Sequence, residues 1–101
     1  MPAYFVLHNR ILDARKMREY IPKALETMEP FGPRVLVLDE NSEIVEGSTD
    51  LPPRTIVIQF NSREDAMAWY HSPAYREVLP LRLEATEGFA MIVDGFVLPA
   101  P

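Results

Sequence analysis

Residues 54–70 read RTIVIQFNSREDAMAWY, and within them a strand pattern changes directly into the start of a helix. From 55 to 60, large apolar residues alternate with more polar ones, which is the period-two pattern of a strand with one more polar side. Ser62 fits a capping box, because its hydroxyl can accept from the first helical turn while Asp65 reaches back to the cap. The stretch therefore predicts a strand over 54–60, followed by a helix through Tyr70.

Upstream of this stretch, the sequence predicts a first strand and a first helix. Residues 4–10 are a short run of mostly apolar residues, several of them β-branched or aromatic. Asp13 then starts a segment whose apolar residues recur every three or four positions as far as Met28, which is typical of an amphipathic helix. Because Pro22 lacks the backbone N–H that a helix interior needs, we expect a kink or a break near Tyr20.

The middle of the chain predicts a strand that doubles back on itself. Residues 34–39 and 42–46 flank the turn-forming pair Glu40 and Asn41. Residues 47–53 contain Gly, Ser, Asp and two Pro residues, and this composition indicates a loop that leads into the strand at 54–60.

After Tyr70, the pair Ser72 and Pro73 predicts a new helix, because Ser is a favoured N-cap and Pro is favoured at the first helical position. We expect this helix to reach about Ala85. A last strand is predicted over 89–93, and the sequence Asp94–Gly95 ends it.

The predicted order is strand, helix, strand, strand, helix, strand, over a single domain of residues 1–101. This order is the split βαβ pattern of a ferredoxin-like α+β fold, with a four-stranded antiparallel sheet and the helices on one face. Residues 5–7, 35–38 and 91–93 are apolar at successive positions, so their strands are apolar on both faces. The face without helices needs a cover, and a second copy packed sheet to sheet would provide it, which predicts a homodimer.

Composition excludes several classes of partner. The formal net charge of -5 and the pI near 4.9 oppose binding to nucleic acid or to an anionic membrane. The chain has no cysteine, which excludes disulfides and thiolate chemistry and suits a reducing compartment. Because the N-terminal segment also lacks the features of a signal peptide, we expect a cytoplasmic protein.

Several motifs carry a resemblance to a known family. These are MPAY at the start, the Glu46–Gly47 pair, IVIQFNSREDAMAWY, SPAY at 72–75, LPLRLEAT and VDG at 93–95. Over nearly its whole length the chain resembles the domain-of-unknown-function 1330 family. The resemblance implies membership of the dimeric α+β barrel superfamily, in which two ferredoxin-like protomers pair their sheets into a barrel.

The resemblance does not imply one activity. The superfamily includes muconolactone isomerases, cofactor-free monooxygenases and haem-dependent enzymes, so the fold alone does not select among them. The family has no agreed catalytic residues to transfer. This chain has Gln59 where family members often have Glu, and proton transfer by that Glu would be absent here.

Arg82 is the first candidate site residue, because it falls in the middle of an apolar helical stripe that includes Tyr75 if the helix continues through Pro80. A kink at Pro80 would instead turn Arg82 into water. A buried guanidinium needs an anionic partner, since leaving it alone costs several kcal/mol. One hypothesis is a structural ion pair with Glu46 or Asp94. The other is a ligand carboxylate or enolate held by Arg82, with the Tyr75 hydroxyl as a second donor.

His8 is the second candidate, because strand alternation places it on the sheet face opposite Phe5 and Leu7. Gln59, on the neighbouring third strand, could join it inside the barrel as a ligand-binding residue. A histidine there could act as a general base or proton carrier, or could simply be a hydrogen-bonded interface residue. The chain has two His residues without ligand spacing, so we expect no metal, and no cofactor is expected, although a lone His8 could ligate haem.

Two functions follow from these candidates. The first is a homodimer that binds a small anionic or carbonyl metabolite in a pocket of His8, Tyr70, Tyr75 and Arg82. An isomerase or tautomerase without a cofactor is the enzyme class that such groups would serve. The alternative is a noncatalytic dimeric module, in which Arg82 is closed against a carboxylate.

Overall fold

The computed structural model describes residues 1–50 and 54–100, which form four strands, three α-helices and one 3-10 turn. The predicted loop at 47–53 lies partly outside the described residues. In chain order the elements are β1 (Ala3–Ile11), α1 (Ala14–Met28), the 3-10 turn (Glu29–Phe31), β2 (Arg34–Asp39), β3 (Arg54–Phe60), α2 (Arg63–Tyr70), α3 (Pro73–Ala85) and β4 (Thr86–Asp94).

The four strands form one antiparallel sheet in the order β2-β3-β1-β4. This topology confirms the predicted ferredoxin-like α+β fold. Along β1, Ala3, Phe5, Leu7 and Asn9 are buried while the residues between them are half-buried, so the sheet has a helix-covered face and an open face. The side chains of residues paired across two strands point to the same face of the sheet. The register with β1 therefore shows which residues of β3 and β4 lie on the helix-covered face and which lie on the open face.

The predicted break in the first helix is wrong, because α1 continues through Pro22. Asp13 caps this helix by accepting from the backbone N–H of Lys16. On the buried side, Met17, Tyr20 and Ala24 lie at helical spacing and pack onto the core. Burial of this stripe outweighs the one backbone hydrogen bond that Pro22 cannot make.

The predicted strand at 42–46 is also wrong, because the chain after β2 forms bends and irregular structure. Asp39 accepts from the backbone N–H of Asn41 at 2.9 Å, which fixes the turn. Ser42 then lies 2.7 Å, oxygen to oxygen, from the hydroxyl of Thr55 on β3. The segment therefore follows the sheet toward β3 instead of pairing with the outer edge of β2.

The two caps predicted in the second half of the chain are confirmed. Ser62 accepts from the backbone N–H of Asp65, and Ser72 accepts from the backbone N–H of Tyr75. The helix α3 also continues through Pro80 and keeps Arg82 on its buried side. Among the described residues, no helix has both the length and the apolar character needed to cross a membrane.

Candidate functional site

The structure separates the predicted site residues onto the two faces of the sheet. His8 and Gln59 lie on the open face, because they alternate with the buried residues Phe5, Leu7 and Ile58. Tyr75 and Arg82 lie on the helix side. A single pocket lined by His8, Tyr70, Tyr75 and Arg82 is therefore wrong, since the sheet stands between its members.

His8 and Gln59 are also separated along the open face. His8 pairs with Thr55 in the β1–β3 register, and its Nδ1 lies 3.2 Å from the Thr55 hydroxyl. Gln59 pairs with Tyr4, four residues further along β1, which is roughly 13 Å away at strand spacing. The ring of Phe89 on β4 lies 5.4 Å from the His8 ring, centroid to centroid. His8 is therefore a half-buried residue of the open sheet face, in contact with Thr55 and Phe89.

Arg82 is buried, with 4% of its surface exposed, but its partner is not a carboxylate. Its Nε donates to the Tyr75 hydroxyl at 3.4 Å. The predicted ion pairs are wrong: Asp94 instead accepts from Arg63 at 3.0 Å, and Glu46 is exposed. Arg82 forms no salt bridge with any residue that the structure describes.

Tyr20, Tyr75 and Arg82 form a buried polar triad between α1 and α3, in which the two tyrosine hydroxyls lie 2.6 Å apart. Burial, with the neighbouring Tyr75, raises the pKa of Tyr20 well above its usual range, so the Tyr20 hydroxyl stays neutral. Burial opposes the charge of Arg82, but interactions with Tyr75 and Tyr20 outweigh it and raise the pKa of the guanidinium. The triad is thus a buried guanidinium cation held by tyrosine hydroxyls.

An apolar cleft of about 120 Å³ lies between α1 and the helix-covered face of the sheet. Its mouth is bordered by Ile21 and Leu25 of α1 and by Val35 and Leu38 of β2, which have between 39% and 58% of their surface exposed. The wall includes Tyr20, which connects the cleft to the buried triad. Apolar walls with a few polar groups at the edge are typical of small-molecule sites.

Arg54 also lines the cleft, although it is not among the site residues predicted from the sequence. Only 5% of its surface is exposed. Its Nη1 donates to Asn9 Oδ1 at 3.1 Å, and its Nε lies 3.4 Å from a carboxylate oxygen of Glu40. The two-residue alternation of β3 is a signal for the burial of Arg54, because Arg54 is in phase with the buried Ile58 and Phe60.

Tyr70 lines a different and more open groove of about 270 Å³ beside β4, together with Arg63 and His71. The Arg76 guanidinium lies 4.7 Å from the centre of the Tyr70 ring, and its Nη2 is 2.8 Å from His71 Nδ1. Arg63 forms an exposed salt bridge with Asp94. The Tyr70 ring also lies 5.7 Å from the Tyr75 ring, centroid to centroid, so these two predicted site residues are neighbours, but Tyr70 does not line the cleft beneath α1.

The fold and the cleft define a class of protein, a ferredoxin-like α+β domain with an apolar pocket between its helices and its sheet. The sequence profile of the family described as Domain of unknown function (DUF1330) matches residues 2–96, so the chain belongs to that family.

Solved structures agree on the fold. A protein of unknown function from Rhodopseudomonas palustris is similar at 14% identity, with a TM-score of 0.76 over 96% of this chain and 84% of that chain. A putative antibiotic biosynthesis monooxygenase from Bacteroides thetaiotaomicron is similar at 19% identity, with a TM-score of 0.52 over 96% of this chain and 90% of that one. At these identities the likeness concerns the fold alone. No curated protein matches the chain.

Proposed function

We propose that the protein is a homodimer whose protomers each bind a small anionic or carbonyl metabolite in the cleft between α1 and the sheet. The observation that carries the proposal is the combination, in one cleft, of apolar walls with the buried cation Arg54. Tyr20 also lines the wall of the cleft, while its hydroxyl bonds Tyr75 in the buried triad with Arg82. An apolar body with one acidic or carbonyl group complements such a cleft.

The size of the cleft limits the ligand. A cavity of about 150 Å³ binds benzene. The cleft measures about 120 Å³ and is open at its mouth. A ligand therefore places roughly six non-hydrogen atoms inside and leaves any further part between Ile21, Leu25 and Leu38 at the mouth.

The open sheet face supports the homodimer. Its centre is apolar, with Val6 of β1, Val57 of β3 and Val37 of β2 side by side in the register. Val37 keeps 39% of its surface exposed, and Met91 of β4 keeps 43%. A second copy packed on this face would remove these side chains from water. The cysteine-free composition suits the cytoplasm as the compartment of this dimer.

Binding is favoured over catalysis by the positions of the ionisable groups. An isomerase or tautomerase needs a base near the bound substrate, but His8 lies on the opposite face of the sheet from the cleft. Tyr20 has a raised pKa and does not supply a base at neutral pH. One observation supports the alternative, a noncatalytic module. The structure contains an Arg–carboxylate ion pair, but it joins Arg54 to Glu40 and does not involve Arg82.

The test is a calorimetric titration with hexanoate and hexanamide, two small molecules with the same apolar chain. Leu38→Trp fills the mouth of the cleft from an exposed position on the edge strand β2 and should abolish binding of both. Leu83→Trp is the matched control, because Leu83 is equally exposed, at 60%, but lies on α3 outside the cleft. Equal binding by both variants, or binding of neither probe to the unmodified protein, contradicts the proposed site.

A further inference from the structure

We propose that Arg54 and Asn9 form a carboxylate-binding subsite at one end of the cleft, and that Glu40 occupies Arg54 until a ligand displaces it. The ligand class is a monocarboxylate with a short apolar chain. This inference rests on the proposed function, since it names the chemistry of the group that the cleft receives. It concerns the Arg54 end of the cleft and makes no use of the buried triad at Arg82.

The first support is the position of Arg54. Its side chain is almost completely buried, yet it belongs to the lining of an otherwise apolar cleft. A guanidinium can bind a carboxylate through two parallel N–H donors, an arrangement that adds both strength and geometric specificity. Among the described residues, Arg54 is the only charged one in the lining of the cleft. A ligand with a second negative charge would have to bury that charge without a partner, so a monocarboxylate is preferred.

The second support is the unused donor of Asn9. Only 1% of this residue is exposed, and it is the register partner of Arg54 in the β1–β3 pairing. Its Oδ1 accepts from Arg54, but its Nδ2 has no hydrogen-bond partner among the described residues. A buried amide donor without a partner costs about 1–3 kcal/mol. A ligand oxygen bound beside the Arg54 guanidinium would give this donor an acceptor.

The third support is the weakness of the present anion. Glu40 follows β2 in an exposed turn, and its side chain is 64% exposed. Its two oxygens lie 3.4 Å and 3.5 Å from Arg54 Nε, longer than the 2.7–2.9 Å of a strong charged hydrogen bond. The Glu40 carboxylate is largely exposed to solvent and contacts only one nitrogen of Arg54, at long distance. Another carboxylate can therefore replace it readily. Glu40 is thus a loosely bound partner of Arg54 that a ligand carboxylate would displace.

The experiment compares Glu40→Gln with Glu43→Gln in calorimetric titrations with hexanoate and hexanamide. Both variants change the formal net charge from -5 to -4, and Glu43 is an exposed residue of the same segment that makes no ion pair with Arg54. We expect Glu40→Gln to bind hexanoate about three- to fivefold more tightly than Glu43→Gln, as the loss of a weak competing ion pair implies. Hexanamide binding should be the same in the two variants.

A second variant tests the cation directly. Arg54→Gln should abolish the preference for hexanoate over hexanamide while hexanamide still binds. Far-ultraviolet circular dichroism serves as the check that this variant is folded. If Glu40→Gln tightens hexanoate and hexanamide equally, or matches Glu43→Gln with hexanoate, the subsite is overturned while the cleft remains a binding site. If neither probe binds any protein with an unfilled cleft, the proposed function fails instead.

Discussion

The hydroxyl groups of Tyr20 and Tyr75 lie 2.6 Å apart, although 55 positions separate the two residues in the chain. This contact joins α1 to α3 and places one hydroxyl, that of Tyr75, within reach of the Arg82 guanidinium. The Arg82 guanidinium also lies 6.0 Å from the centre of the Phe5 ring. A cation in the core is thus stabilised by hydroxyls and an aromatic ring instead of a carboxylate.

The two tyrosines should contribute unequally to stability. Tyr75→Phe leaves Arg82 Nε without its described acceptor, so we expect it to lower the free energy of unfolding by about 2–3 kcal/mol. Tyr20→Phe removes one hydrogen bond but leaves the Tyr75–Arg82 contact, and should cost about 1 kcal/mol. Urea unfolding at pH 7 measures both values. A larger loss for Tyr20→Phe than for Tyr75→Phe would contradict the arrangement of the triad.

Replacement of Arg82 should cost little. No described carboxylate forms an ion pair with Arg82. The variant Arg82→Met therefore leaves only the Tyr20 and Tyr75 hydroxyls, which bond each other, and methionine fits the space of the aliphatic stem. We expect the free energy of unfolding to fall by less than about 1.5 kcal/mol or to rise. Glu46→Ala is the control and should have no effect. A loss of about 3–5 kcal/mol for Arg82→Met would instead indicate a stranded buried carboxylate.

The raised pKa of Tyr20 predicts a loss of stability at alkaline pH. The folded-state pKa lies above the unfolded value of about 10, so the contribution is complete below pH 10 and is lost as the pH rises above it. In that range the free energy of unfolding should fall by up to about 1.4 kcal/mol per pH unit more in the unmodified protein than in Tyr20→Phe. Parallel curves from urea unfolding between pH 8 and pH 11 would exclude this coupling.

The open face predicts a dimer that one charge can disrupt. Val37→Asp places a carboxylate on the apolar centre of the face, at a half-exposed position on the edge strand β2. We expect the unmodified protein to sediment as a dimer and Val37→Asp to shift to monomer, because a sheet-to-sheet contact would bury the new charge. Leu83→Asp, at an exposed position on α3, should remain dimeric. Sedimentation that is unchanged by Val37→Asp would show that this face is not the interface.

Local sequence signals predicted the elements where short-range chemistry decides the structure. The change from β3 to α2 was predicted by alternation that stops at a capping residue, and the start of α3 was predicted by Ser72 and Pro73. The same local rules predicted a break at Pro22, where α1 is continuous, and a strand at 42–46, where the chain forms bends and irregular structure. In α1 the burial of a stripe along the whole helix outweighs one missing hydrogen bond, and after β2 the contact between Ser42 and Thr55 directs the chain.

The candidate site was predicted only in part. Burial of Arg82 followed from its place on the apolar stripe of α3, and the facing of His8 followed from strand alternation. The partners of Arg82 and the Arg54–Asn9–Glu40 cluster did not follow, because each joins elements far apart in the chain.

The sequence by itself determined the order of the main elements, the α+β topology and the buried sides of the helices, because periodicity and capping act within a few residues. Only the tertiary structure decided which buried groups meet. The sheet separates His8 from Arg82, and the packing of α1 on the sheet leaves the cleft that ends at Arg54. Such contacts depend on the exact docking of helices and strands, which no local pattern encodes.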